Sequence, residues 1–201
     1  MIVGVTGCPG SGKSLFAAEM VECGWALVDA DKMGREIVEM DKGLLEKLAE
    51  AFGRDIIDAD GRLDRRLLAS RAFADRDATL RLNEIVHPRL VSVLLSQLNG
   101  IRKSGRNAVV DCALVYEWGI ESSFDVMVCV VADATLRRRR IWERDGRSSR
   151  EIDDLFAAQL SQDKKAAKSD ITVKNDSLPE RLTMFGRMAA SLSGAGKGER
   201  I

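Results

Sequence analysis

A chain of 201 residues in which 31 Lys and Arg balance 31 Asp and Glu has no net charge, which argues against a global field drawing it to nucleic acid or to a membrane surface. With 45% hydrophobic and 31% charged residues it reads as an ordinary soluble globular protein, long enough to bury a sizeable core. Its longest clear apolar run, residues 126–132, is far too short to span a bilayer, so any anion binding must be local.

The run Ile2-Val3-Gly4-Val5 leads directly into Gly7-Cys8-Pro9-Gly10-Ser11-Gly12-Lys13-Ser14, which fits the phosphate-loop pattern G-x-x-x-x-G-K-[ST] with a strand before it and a helix expected over 13–21. Glycines let the backbone wrap a phosphate, and the N–H groups around Gly10, Ser11 and Gly12, with the next helix's N-terminus, form an anion site. Lys13 would reach the β- and γ-phosphates and the Ser14 hydroxyl would sit on Mg²⁺; Leu15 completes the nucleotide-contacting stretch. Because this loop begins almost at once, a removable N-terminal signal is not expected. Residues 25–28 form the next short strand and deliver Asp29-Ala30-Asp31 to its end. Strand, loop, helix, strand is the unit of a parallel sheet, whose ligands bind beyond the carboxyl ends of the strands. A carboxylate there orients an acceptor hydroxyl or takes its proton. Asp31 also suits a helix N-cap, and location favours chemistry for at least one of Asp29 and Asp31.

From Asp31 to Gly100 helical periodicity takes over, with one strand-like piece at Asp55-Ile56-Ile57. Leu44, Leu45, Leu48 and Phe52 make one apolar face; Leu82, Ile85, Val86, Leu90, Val91, Leu94, Leu95 and Leu98 make a longer one, with Pro88 tolerable where a new helix starts. This segment, about 32–104, reads as a helical insertion that walls an acceptor site. His87, the only histidine, reads as a satisfied structural side chain ahead of a ligand contact. Residues 107–114 and 126–132 read as buried strands, and Asp111, at a strand end, is where phosphate-loop enzymes place an acid that holds Mg²⁺. Arg137, Arg138 and Arg139 read as a solvated helix face. Arg140 and Arg144, one turn apart, are expected to close on transferring phosphates from a mobile lid of about 136–169. A helix over 151–160, a strand over 171–173, a closing helix over 178–192 and a frayed Gly-rich tail complete the expectation. Cys8, Cys23, Cys112 and Cys129 show no zinc spacing and suggest free thiols in the cytoplasm. Cys8, inside the phosphate loop, is expected to favour a thiolate whose oxidation blocks nucleotide binding.

These residues in this order resemble the dephospho-CoA kinases. The likeness includes Val28-Asp29-Ala30-Asp31 with Arg35, Asp60-Gly61 with Arg65, Leu82-Asn83 leading to His87-Pro88, and Val110-Asp111. It continues through Leu114-Val115-Tyr116-Glu117, Arg140, Arg144-Asp145, Gln159, Lys165, Asp170 and Asn175. The resemblance implies an α/β fold: one domain over 1–201 with a parallel-sheet phosphate-loop core (about 1–31, 105–135 and 170–193), a helical CoA-side insertion and an arginine-bearing lid. It implies transfer of the ATP γ-phosphoryl group to the ribose 3′-hydroxyl of dephospho-CoA with Mg²⁺, and no obligatory protein partner. Asp31 matches the proposed base, Lys13 and Ser14 the phosphate and Mg²⁺ groups, Arg140 the lid arginine and Asn175 the segment beside the adenine. Arg35, Arg65, His87, Leu114 and Glu117 match the acceptor side. Departures fall at Cys8-Pro9, Ala113 and Ser177, where loop geometry changes more than chemistry does. Another small-metabolite kinase, or a nucleotide-dependent switch that engages a protein, would share the loop.

Overall fold

The computed structural model describes residues 1–176 and Arg187; Ser177, the rest of the expected closing helix and the Gly-rich tail lie outside the described residues. Five strands, β1 (Ile2–Thr6), β2 (Ala26–Asp29), β3 (Ala108–Asp111), β4 (Val126–Val131) and β5 (Ile171–Lys174), form one parallel sheet in the order β2-β3-β1-β4-β5. The helices are α1 (Lys13–Glu22), α2 (Ala30–Met40), α3 (Lys42–Phe52), α4 (Arg65–Ala72), α5 (Arg76–Lys103), α6 (Ala134–Asp145), α7 (Ser149–Ala157) and α8 (Gln162–Lys168). Two compact units result: residues 1–29 with 97–201, and residues 30–96.

The first unit holds the sheet. β1 and β3 are buried throughout, as expected of strands covered on both faces, which need no polar alternation. Phe16, Ala17 and Met20 of α1 pack with Val3, Val5, Val109, Val128, Val130, Val173 and Trp25. Burying a side chain the size of Phe16 or Met20 contributes about 1.5–3 kcal/mol. In the parallel register Val5 and Asp29 both face Asp111, so the ends of β1, β2 and β3 are level. From β1 the chain proceeds to β2 and β3 on one side, then to β4 and β5 on the other. The loop after β1 therefore leaves the sheet at its topological switch point, where ligands of such sheets bind.

The second unit is helical. Leu44, Leu45, Leu48, Ala49 and Phe52 of α3 are buried, as are Met33, Ile37 and Val38 of α2. Arg71 grips the Asp55 carboxylate through both nitrogens at 2.6 and 2.5 Å and donates to the Phe52 carbonyl. Residues 55–57 are not a strand. A 3₁₀ turn, Arg54–Ile56, is followed by one antiparallel bridge between Ile57 and Leu63, because the pair closes a tight turn at Asp58 and is flanked by no further strand residue to extend the ladder. Nor does a new helix start at Pro88: α5 runs unbroken through it. Proline lacks the N–H that would reach the fourth residue back, yet Leu90, Leu94 and Leu98 stay buried at four-residue spacing and hold the helix together beyond it. The sequence reading gives no helix of its own at α4 or α8, and α7 stops earlier than expected. No helix among the described residues is long and apolar enough to cross a membrane.

Candidate active site

The loop between β1 and α1 has positive φ at Gly7, Gly10 and Gly12, and two of these are also closed to any Cβ. Gly7 (φ 156°) would place a Cβ 2.5 Å from the Val130 carbonyl oxygen, and Gly10 (φ 78°) would place one 2.6 Å from that of Arg137. Several of its carbonyls are held by the protein. Gly10 O accepts from Arg140 Nη1 at 3.2 Å, Ser11 O from Asn175 Nδ2 at 2.7 Å, and Cys8 O from the Ser11 amide at 3.1 Å. With its negative ends tied down, what the loop offers a ligand is amide N–H groups and the positive end of α1. The capping pattern points the same way. Asp41, Asp64, Asp133, Ser148 and Ser161 cap α3, α4, α6, α7 and α8 with a side-chain oxygen, whereas α1 begins at Gly12 with no side-chain cap. An uncapped first turn leaves donors for an anion to satisfy.

Beside the loop, Lys13 Nζ lies 3.5 Å from Asp111 Oδ1, both side chains largely buried at 16% and 9% exposure. The structure thus brings together a phosphate-seeking ammonium and a carboxylate at the end of β3, with the Ser14 hydroxyl exposed in the first turn of α1. Hard oxygen donors of this kind suit Mg²⁺, which takes one or two protein oxygens and otherwise phosphate and water. No cluster of three or more His, Cys, Asp or Glu that would build an all-protein metal cage occurs among the described residues. Asp29 is level with Asp111 at the sheet edge, and Asp31 is exposed in the first turn of α2, in the second unit.

The arginines of α6 divide in a way that corrects the expected solvated face. Arg137 is buried, its guanidinium 4.4 Å from the centre of the Phe156 ring and its Nε donating to the Ala132 carbonyl. The first turn of α6 docks against Gly10, so the side chain it directs inward needs a partner, and the aromatic face with the carbonyl supplies one. Arg138 is paired with Asp153 and lies 5.3 Å from the same ring, while Arg139 bonds Glu143 at 2.7 Å on the surface. Arg140 sits where the loop and the end of the sheet meet, donating to Gly10 O and, at 3.0 Å, to Asn175 O. Arg144 is exposed and forks onto Asp145 at 2.7 Å through both nitrogens, which holds the Asp145 carboxyl below its usual range.

The surroundings of Cys8 oppose the expected thiolate. Its side chain is buried and donates to the Leu160 carbonyl at 3.5 Å. Burial pushes its pKa up, outweighing the pull of Lys165 and Arg137. Its place in the loop puts it beneath the helix terminus, where desolvation dominates. The expected acceptor-side residues fall in both units. Arg35 is exposed, Arg65 bonds Glu39 at 2.8 Å and His87 is half-buried in α5, all in the second unit; Leu114 and Glu117 are half-buried in the first.

A residue given no role by sequence reasoning is Lys165, 0% exposed. Its ammonium donates to Ala113 O, to Gln159 Oε1 at 3.2 Å and to Glu117 Oε1 at 2.9 Å. Pattern reading treats a lysine in a polar stretch as surface; the one available signal is that Gln159, Lys165 and Glu117 all belong to the motifs of the resemblance.

Comparison with known proteins places the chain among its relatives. A family model described as dephospho-CoA kinase matches residues 1–180. The dephospho-CoA kinase of Anaeromyxobacter dehalogenans is 38% identical over 202 residues, covering 100% of this chain and 95% of that protein. That of Corynebacterium glutamicum is 38% identical over 181 residues, 90% of each. A crystal structure of a Thermus thermophilus protein superposes with a TM-score of 0.77 at 28% identity over 98% of both chains.

Proposed function

The chain belongs to the dephospho-CoA kinase family, and we propose from that premise how its own residues carry the transfer. The reaction passes the γ-phosphoryl group of ATP to the ribose 3′-hydroxyl of dephospho-CoA, giving CoA and ADP, the last step of CoA biosynthesis. What supports the reading most directly is the phosphate loop, with its carbonyls held by Arg140 and Asn175 beside the Lys13–Asp111 pair.

The triphosphate lies along Gly10, Ser11, Gly12, Lys13, Ser14 and Leu15, its charge met by loop amides and the open first turn of α1. Lys13 leaves Asp111 for the β- and γ-phosphates. Ser14 and Asp111 would hold Mg²⁺, which when bound would neutralise phosphate charge. Asp31 orients the 3′-hydroxyl and accepts its proton as the oxygen–phosphorus bond forms and the bond from the γ-phosphorus to the bridging oxygen breaks. Arg140 and Arg144 meet the charge on the transferring group and the departing ADP, and Asn175 sits at the adenine side. Arg35, Arg65, His87, Leu114 and Glu117 serve the acceptor. Residues 136–169 act as a lid that excludes water, and residues 32–104 as the CoA-side insertion of one kinase domain spanning 1–201. Cytoplasmic location and independence from protein partners complete the proposal. In a transfer with little covalent chemistry for the protein to perform, positioning and electrostatics supply most of the rate.

The test is ADP formation from Mg·ATP with and without dephospho-CoA, with the product identified by mass spectrometry. ADP appearing one for one with CoA is expected. Release of ADP that ignores dephospho-CoA would overturn the acceptor and redirect the search to other small acceptors.

A further inference from the structure

We propose that Lys165 is a positioning residue for phosphoryl transfer, its buried ammonium clamping the backbone just past Asp111 to the turn between α7 and α8. Lysine is almost never fully buried unless paired, and this one is wholly enclosed with all three N–H donors engaged, on Ala113 O, Glu117 Oε1 and Gln159 Oε1. Each acceptor leads somewhere. Ala113 O also accepts from the Thr6 hydroxyl at 3.1 Å, Thr6 being the buried last residue of β1, and the Cys112 amide donates to Val5 O at 3.0 Å. The peptides following Asp111 are thereby held from β1 on one side and from α8 on the other, which fixes the direction in which the Asp111 carboxylate leaves the sheet. Glu117 Oε1 in turn accepts from the Leu160 amide at 2.8 Å, and the Leu160 carbonyl accepts from Cys8 Sγ at 3.5 Å, inside the phosphate loop. One ammonium thus ties the carboxylate proposed for Mg²⁺, the phosphate loop and the turn between the last two helices of the proposed lid into a single polar node. The inference rests on the kinase reading above.

A buried ion pair that serves folding alone can be exchanged for apolar side chains of similar volume, whereas one that aims a catalytic peptide cannot. The experiment is therefore Lys165→Met alone and Lys165→Met combined with Glu117→Met, in the full chain. The readouts are the urea midpoint, kcat, KM for dephospho-CoA and ATP affinity by calorimetry. The single variant leaves the half-buried Glu117 carboxylate without its counter-charge and should lose stability; the double variant should regain a midpoint near wild type. Both should still turn over on the order of 100-fold more slowly, the scale of a small misplacement of reacting groups, with ATP affinity shifted by no more than about threefold in both, and KM for dephospho-CoA by no more than that in the single variant, which keeps the Glu117 carboxylate. A double variant that regains kcat together with its midpoint would overturn the proposal. So would a loss confined to KM for dephospho-CoA with kcat intact in both variants, which would leave Glu117 an acceptor contact and nothing more. Should neither variant fold, Glu117→Gln, which keeps an oxygen for the Leu160 amide and removes only the charge, is expected to lower kcat at least about tenfold; an unchanged kcat would count against the clamp. If wild type makes no CoA from dephospho-CoA, the kinase reading fails separately. Lys165→Met is then judged on acceptor-independent ADP release, where the same slowing is expected and wild-type release overturns it.

Discussion

At the scale of single residues, the site separates side chains whose chemistry is written in their type from those whose role is set by burial. Lys13 and Asp111 belong to the first kind: a lysine at that place in the loop and an acid at a strand end require only that the sheet be parallel, and the structure brings them to 3.5 Å. Arg137, Cys8 and Lys165 belong to the second. Nothing in four successive arginines marks the first of them for burial over Phe156, and nothing in a loop cysteine announces that desolvation will outweigh nearby positive charge. Three expectations follow. Asp31→Asn should lower kcat by on the order of 10²–10⁴ while ATP affinity by calorimetry stays within about threefold, the signature of a lost proton acceptor; an unchanged kcat would remove Asp31 from the mechanism. Arg140→Ala should raise the transition-state barrier by about 3 kcal/mol as a lost charge clamp and should also weaken ATP binding, since it releases Gly10 O; steady-state kinetics with calorimetry separates the two effects. For Cys8, a protonated buried thiol should alkylate far more slowly at neutral pH than the exposed Cys23, and peptide mass spectrometry over a labelling time course would show equal rates if its burial were wrong.

At the scale of elements, the sheet was legible because each strand is a short apolar run between turn signals, and strands buried on both faces need no alternation to be recognised. α1 and α3 were legible for the complementary reason, an apolar face at helical spacing, and α2 from the acid that opens its pattern. α8 was not: its seven residues include Asp163, Lys164, Lys165 and Lys168, so periodicity was hidden by a buried lysine that counts as polar in any pattern, and only the Ser161 cap marks its start. The 3₁₀ turn at Arg54–Ile56 reads as a strand in sequence because two adjacent isoleucines look like one when no partner strand is in view. The join between the phosphate loop and α1 carries its own prediction. Gly10→Ala meets two penalties at once, a left-handed backbone that costs about 1–2 kcal/mol for a residue with a Cβ and a methyl 2.6 Å from the Arg137 carbonyl oxygen. Relief requires α6 to shift from the loop, taking Arg140 with it. ATP affinity by calorimetry should fall at least about tenfold with the urea midpoint lowered, and near-normal affinity would show that this approach of α6 is not needed for binding.

For the molecule as a whole, the parallel sheet that presents the loop also stores an alkaline weakness. Cys129 lies in β4, wholly buried, and burial pushes its pKa from the ordinary 9.0 up to about 11, with Cys8 adding to the effect and Lys165 opposing it. The sign follows from proton counting. Between these two values the folded chain keeps the thiol proton that the unfolded chain has released, so the native state binds more protons and unfolding free energy falls as pH rises. This contribution is intact below about pH 9, declines from there to about pH 11, and cannot be recovered by paired charges, because a thiolate in the middle of the sheet has no water to solvate it. Cys129→Ala removes the ionisable group at the cost of a small cavity. Its stability relative to wild type, from urea unfolding at a series of pH values, should therefore be lowest near neutrality and should rise steadily between pH 9 and 11. A difference that stays constant across that range would mean that Cys129 remains protonated in both states or is solvated in the native one. Either result would detach the buried thiol from the stability of the sheet that positions Lys13 and Asp111.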